Sequence, residues 1–484
     1  MFKTKKPALK VLAGLIAVQV GVSAYGTTAF AEPIFTSPNG VHTLAPVGAI
    51  QPTGTWNLGT QAGDNIYVAG MRGIDPSTNQ LVASPEGRIR QAFLNMKLIA
   101  ESEGASLQDA TRIVVYTTDM YRYRPLVNQI QQELWGAGPY PPRTIVEVDR
   151  LNQDDIVEVE GTFYAPEATN NGVSENAGGK KESAEGENIS PNGVKTLMPV
   201  GAIQPTGTWN LGTRAGDNIY VAGMRGIDPS TNQLVASEES RIRQAFLNMK
   251  LIAESEGASL QDATRIVVYT TDMYRYRPLV NQIQQELWGA GPYPPRTIVE
   301  VDRLNQDDIV EVEGTFYAPE ATNNGVSENA GGKKESAEGE NISPNGVKTL
   351  MPVGAIQPTG TWNLGTRAGD NIYVAGMRGI DPSTNQLVAS EESRIRQAFL
   401  NMKLIAESEG ASLQDAARIV VYTTDMYRYR PLVNQIQQEL WGAGPYPPRT
   451  IVEVDRLNQD DIVEVEGTFY APEATNNASE KEVN

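Results

Sequence analysis

The chain has 484 residues and a formal net charge of −18, and at roughly 150 residues per domain that length implies about three domains. With 40% hydrophobic and 20% charged residues it is too apolar for general disorder and too mixed for a fibre. The absence of cysteine and the single histidine, His42, exclude disulfide scaffolds, thiolate chemistry, and triads or zinc sites that need a histidine in each of several copies; a pI near 4.7 disfavours nucleic acid and anionic membranes as partners.

Residues 1–31 read as an export signal. Lys3, Lys5, Lys6 and Lys10 precede an apolar stretch from Val11 to Tyr25, and Ala29-Phe30-Ala31 has the A-x-A pattern of a cleavage site. A retained membrane anchor is the competing reading, but the stretch is short for a span and is interrupted by Gly and Gln. Cleavage near Ala31 makes the mature protein periplasmic or extracellular, without membrane attachment. Losing four lysines takes its charge from −18 to −22.

The remainder is one sequence written three times. VGAIQPTGTWNLGT begins at Val47, Val200 and Val353, a period of 153 residues, and GPYPPRTIVEVDRLNQDDIVEVEGTFYAP recurs in step. That period is too long for a solenoid unit, so each copy is a domain, at 32–166, 191–319 and 344–472. The connectors 167–190 and 320–343 both read EATNNGVSENAGGKKESAEGENIS. They are too polar to fold alone, and their 24 residues span about 25–30 Å as flexible coil. Residues 473–484 read as a disordered tail. His42 is replaced by Lys195 and Lys348, which marks it as a surface position.

Within the first copy, Asn65–Met71 reads as a strand. From Glu86 to Glu103, Ile89, Phe93, Met96 and Ala100 fall on one helical face, closed by Gly104. Arg112–Thr118 is a near-continuous apolar run suited to a buried strand. Pro125 is placed to open a second helix that ends before Gly136. Arg143–Leu151 and Ile156–Ala165 read as two strands joined by a hairpin-like turn, Asn152 to Asp155. With a strand or two before Asn65, the order is ββαβαββ, an α+β layer with two helices on one face of a mixed sheet. The other face then needs burial. Three copies packing sheet against sheet around a pseudo-threefold axis would supply it, the connectors providing a high effective concentration; three independent domains on a string is the alternative.

The stretch PYPPRTIVEVDRLNQDDIVEVEGTFYA, with GTWNLG, YVAGMRGIDP and PLVNQI in order before it, resembles the RidA/YjgF (reactive intermediate deaminase) family over roughly Leu44–Ala165 of each copy. The resemblance implies a chorismate-mutase-like fold with a six-stranded sheet, a trimer with sites in the clefts between copies, and cofactor-independent hydrolysis of enamines and imines of small carboxylates, releasing ammonia. It implies that Arg143, Arg296 and Arg449 hold the substrate carboxylate, as a bidentate guanidinium can. Glu158, Glu311 and Glu464 would place the attacking water, and Asn128, Asn281 and Asn434 would form a hydrogen-bonding wall. Trp56, Trp209 and Trp362 take the place of a family tyrosine, Ala69 and its equivalents that of a serine, and Ile145 and its equivalents that of a cysteine. These departures make the cleft more apolar, while Arg72, Arg225 and Arg378 add a second cation beside it.

Each of these residues also has a plainer reading. Arg143 could pair with Glu147 or Asp149 on its own strand. Glu158 and Glu160 share a strand face about 7 Å apart, which suits a solvated face or, less simply, a glycosidase pair. Trp56 could be a packing residue, and Asp154-Asp155 turn chemistry rather than a metal site. Tyr121-Arg122-Tyr123-Arg124 has the look of a nucleic-acid motif that the acidity opposes. Two functions remain open: an exported enamine/imine deaminase without metal or cofactor, or a non-catalytic carboxylate-binding or assembly module on the same scaffold, with further self-assembly allowed by either.

Overall fold

The computed structural model of the chain describes residues 35–166, 188–319 and 341–473. The segment read as an export signal, most of both connectors and all of the tail after residue 473 lie outside the described residues. In the first copy, β1 (His42–Leu44), β2 (Gly59–Ala62) and β3 (Asn65–Arg72) form an antiparallel meander. They are followed by α1 (Pro85–Ser102), β4 (Ala110–Thr117), α2 (Met120–Trp135), β5 (Arg143–Glu147) and β6 (Val157–Tyr164). The sheet order is β1-β2-β3-β6-β4-β5, extended in this copy by Phe35–Thr36 beside β1. Only β4 and β5 run parallel. The other copies repeat the six strands and two helices, giving the α+β class expected from the sequence.

Three local expectations change. The second helix starts at Met120, because the Asp119 side chain accepts the Arg122 N–H and Glu147 accepts the Met120 N–H; Pro125 falls in its second turn. The strands at 143–147 and 157–164 are not a hairpin: β4 lies between them. Their connection is a 3₁₀ turn at Asn152–Asp154, with Gln153 and Asp154 at φ 60° and 52°. Asp155 is not a free turn carboxylate. It is buried, accepts the Gly73 N–H at 3.3 Å and faces Arg88 at 3.5 Å, tying the turn to α1.

Alternation along each strand divides the side chains between two cores. Ile113 and Val115 of β4 and Val157 and Val159 of β6 pack beneath the helices with Phe93, Met96 and Ile99. Val114, Tyr116, Val146, Val148 and Leu151 point the other way and meet their equivalents from both other copies in one central cluster. Beside it, Arg112 donates to Glu160 of its own copy and to Glu313 of the second; Arg265 donates to Glu313 and to Glu466 of the third; Arg418 donates to Glu466 and back to Glu160. Thr144, Thr297 and Thr450 satisfy the second oxygen of each glutamate. The last residues of each connector belong to this packing too: Ser190 donates to Asp109 and Ser343 to Asp262, both at 2.6 Å, as Ser37 does to Asp415.

Candidate functional site between consecutive copies

The edge strand β5 of one copy abuts the loop before β2 of the next. Asn210 of the second copy donates its backbone N–H to Pro141 of the first at 3.1 Å; Asn363 and Pro294, and Asn57 and Pro447, repeat the contact around the three copies. This juxtaposition builds a cleft at each junction.

In the cleft between the third and first copies, Arg449 Nη1 donates to Gln437 Oε1 at 2.5 Å and Nη2 to Asn434 Oδ1 at 2.9 Å, while Thr55 of the first copy touches Nη1 at 3.3 Å. Arg143 holds the same contacts with Gln131, Asn128 and Thr208, and Arg296 with Gln284, Asn281 and Thr361. Every acceptor is a neutral oxygen, and Nε of each arginine has no partner among the described residues. The pairing of Arg143 with Glu147 or Asp149 is therefore not found; Glu147 is taken by the Met120 N–H and Arg303, and Asp149 lies with Asp302 and Asp455. Burial, then the neighbouring Arg124, press the Arg143 pKa down to about 9, with Glu311 opposing, so it remains charged at neutral pH. Asn128 serves as a brace: it accepts from Arg143, and its amide lies against Gly207 of the next copy.

Opposite Arg449 stand Trp56, Arg72 and Glu158 of the first copy, with Arg430 and Ile451 of the third closing a space of about 20 Å³. Burial pushes Glu158 up to about 7, against the pull of Arg72 and the Ile451 N–H. Glu311 and Glu464 are raised to about 7 in the same way. The carboxyl reaches this position because Gly70 has no side chain: a Cβ there would lie 1.9 Å from Glu158 Oε1. Arg72 Nη1 is held by the Asn152 carbonyl at 2.7 Å and by Gln153. Glu160, two residues from Glu158, is locked by Arg112, Arg418 and Thr450, and though buried is held near pKa 2 by the two guanidinium groups. It cannot serve as the acid of a glycosidase pair.

The sequence singled out Arg143, Glu158, Asn128 and Trp56 with their equivalents, and the structure brings all four types to the clefts, the arginine and asparagine from one copy and the glutamate and tryptophan from the next. Three participants were missed. Arg124, Asn128 and Gln131 occupy one face of α2 at i, i+4 and i+7, a spacing that could have flagged Arg124 and Gln131; Thr55 and its equivalents carried no signal. The Tyr-Arg-Tyr-Arg run is also accounted for. Tyr121 donates to Asp307 of the next copy at 2.7 Å beneath Arg303, Tyr123 is buried, and Arg124 enters the cleft region beside Arg225. Each cleft thus gathers three guanidinium groups around one carboxyl poised near neutrality, an arrangement that attracts anions.

These features define an α+β protein of three copies with cationic clefts at the junctions. The model of the Endoribonuclease L-PSP family matches residues 47–164, 200–317 and 353–470. The chain belongs to this family, the RidA/YjgF family, in three tandem copies. It is 34% identical to a RutC family protein of Pyrococcus horikoshii over 124 residues, covering 25% of this chain and 97% of the relative. It is 31% identical over 118 residues to a 2-iminobutanoate/2-iminopropanoate deaminase of Dermatophagoides farinae, covering 24% of this chain and 88% of the relative. Among solved structures, RidA from an Antarctic Psychrobacter is 30% identical, covering 25% of this chain and 98% of the other, with a TM-score of 0.24.

Proposed function

We propose that the chain is an exported deaminase of enamines and imines derived from small carboxylates, working as a trimer written on one polypeptide. The observation that carries this reading is the pairing, in each cleft, of a buried arginine that has no acidic hydrogen-bond partner with a glutamate raised to about 7 on the next copy. The substrate carboxylate takes the open N–H groups of Arg449. Water held by Glu158 adds to the C=N carbon, giving a carbinolamine; Glu158 accepts a proton from the water and returns it to the nitrogen, and loss of ammonia leaves the 2-oxo acid. A group near pKa 7 suits both transfers at neutral pH. The deaminase of Dermatophagoides farinae among the relatives supports the reaction class. The basic and apolar segment at 1–31 supports export; among the described residues, no helix is long and apolar enough to cross a membrane. No nucleic-acid partner is included, the cations being gathered in narrow clefts of an acidic chain.

The second reading, a carboxylate-binding or assembly module without turnover, is favoured by one observation: the cleft holds only about 20 Å³ behind Trp56. Ammonia release from enzymatically generated 2-aminoacrylate separates the two. The deaminase reading expects release above the buffer rate, abolished by replacing Arg143, Arg296 and Arg449 together with alanine. Wild-type protein no faster than buffer, with a small carboxylate still bound, would establish the second.

A further inference from the structure

The α2 arginines Arg124, Arg277 and Arg430 have no part in the reaction proposed above. Arg430 is partly exposed and lines the cleft with Arg72, Glu158 and Arg449. Among the described residues it makes no hydrogen bond or ion pair, and its charged neighbours are Arg72, which repels it, and Glu158. Arg449, by contrast, is held by Gln437 and Asn434, and Arg72 by the Asn152 carbonyl and Gln153. Arg124 stands in the same relation to Arg225 and Glu311, and Arg277 to Arg378 and Glu464. A guanidinium that gives up water without gaining an acceptor, beside a like charge, is costly to place. The plainer reading, a stem that packs while its tip reaches water, leaves the repulsion from Arg72 unrelieved.

The charges of the cleft do not balance. Arg449, Arg430 and Arg72 are positive, and ionised Glu158 is the one acid among its lining residues. Asp155, next to Arg72, is matched by Arg88 at 3.5 Å. One substrate carboxylate on Arg449 therefore still leaves a positive charge, at Arg430. Resting on the deaminase reading for the reaction, we propose that the substrate carries a second carboxylate and is the enamine or imine of a short dicarboxylic acid. The carboxylate beside the C=N carbon sits on buried Arg449, and the far one sits on Arg430 at the mouth. Arg296 with Arg277, and Arg143 with Arg124, do the same in the other clefts. Both arginines of a cleft come from one copy, on β5 and α2, so the packing of that copy fixes the spacing of the two anion sites. An apolar far end would leave Arg430 unpaired.

Calorimetric titration of the full purified chain reads this preference without turnover. The ligands are 2-oxoglutarate and 2-oxopentanoate, which has the same carbon chain with a methyl group in place of the second carboxylate. The expected result is 2-oxoglutarate bound at three sites per chain, at least about tenfold more tightly than 2-oxopentanoate. R124A/R277A/R430A should lose that preference, and R124K/R277K/R430K should keep part of it by keeping the charge. The ratio of the two affinities within one variant does not depend on how much of it is folded. Absence of saturable binding, equal affinity for the two ligands, or a preference unchanged in the alanine variant would each overturn the proposal. Ammonia release from 2-iminoglutarate, generated from glutamate by an amino-acid oxidase, tests the reaction separately. A preference for 2-oxoglutarate without ammonia release would overturn the deaminase reading and uphold the second anion site. Ammonia release without that preference would overturn the second site and uphold the deaminase.

Discussion

Arg112 of the first copy donates to Glu313 of the second at 2.6 Å, with both side chains almost wholly withdrawn from water. The pair exists because two faces that the helices leave uncovered are pressed together. Its repetition through Arg265 and Arg418 gives each of Glu160, Glu313 and Glu466 two guanidinium partners. Removing one member of a buried ion pair strands the others in a medium of low polarity. Glu160→Gln should therefore cost about 3–5 kcal/mol in denaturant unfolding, even though it alters one residue in 484. A loss below about 1 kcal/mol would mean that the circuit is open to water.

The glycine at position 70 should be irreplaceable for a different reason. A methyl group there would strike Glu158 Oε1, so Gly70→Ala must rotate the carboxylate out of its cleft. With Gly223→Ala and Gly376→Ala added, ammonia release should fall by at least tenfold. Each site should lose about 1–3 kcal/mol of stability from overpacking. Unchanged kinetics would show that Glu158 does not act from this position.

The three cleft glutamates predict a definite pH response. Their folded pKa values of about 7 exceed the ordinary 4.5. Between these values the folded chain retains protons that the unfolded chain has released, so stability declines as pH rises from 4.5 to 7. Replacing all three by glutamine should flatten that decline. Activity should follow the opposite sign, rising with an apparent pKa near 7 as the ionised form appears. A rate independent of pH between 5 and 8 would remove these carboxyls from the mechanism.

A second acidic group lies at the junction of the three copies. The carboxylates of Asp149, Asp302 and Asp455 lie within 4.8 Å of one another, and burial, then the two neighbours, push Asp302 up to about 8. Here too the folded chain holds protons that the unfolded chain has lost, so the trio destabilises as pH rises toward 8. Asp149→Asn with its two equivalents should raise the melting temperature at pH 9 and leave it little changed at pH 4. Equal shifts at both pH values would point to packing rather than charge.

Much of this was legible in the chain because tandem repetition and amphipathic spacing are local signals. Ile89, Phe93, Met96 and Ala100 marked α1 correctly, and the copies announced themselves through their period. What could not be read depends on contacts between residues far apart in sequence, within a copy or between copies. Nothing near Pro125 in sequence shows that Glu147, 27 residues from Met120, captures the Met120 N–H and starts the helix early. Likewise, Glu158 and Glu160 are two equal carboxylates in sequence. Arg112 of its own copy and Arg418 from the third copy together make one strongly acidic, and the desolvated cleft raises the other.

The central claim is that each cleft takes its arginine from one copy and its glutamate from the next, and paired substitutions in single chains test it most directly. Arg143 and Glu311 belong to one cleft, so R143A/E311Q disables one cleft of three and should retain about two thirds of the ammonia release, the clefts being independent. Arg143 and Glu464 belong to different clefts, so R143A/E464Q should retain about one third. If R143A/E158Q, which falls within a single copy, is instead the pair that retains two thirds, the sites lie inside the copies and the account is contradicted.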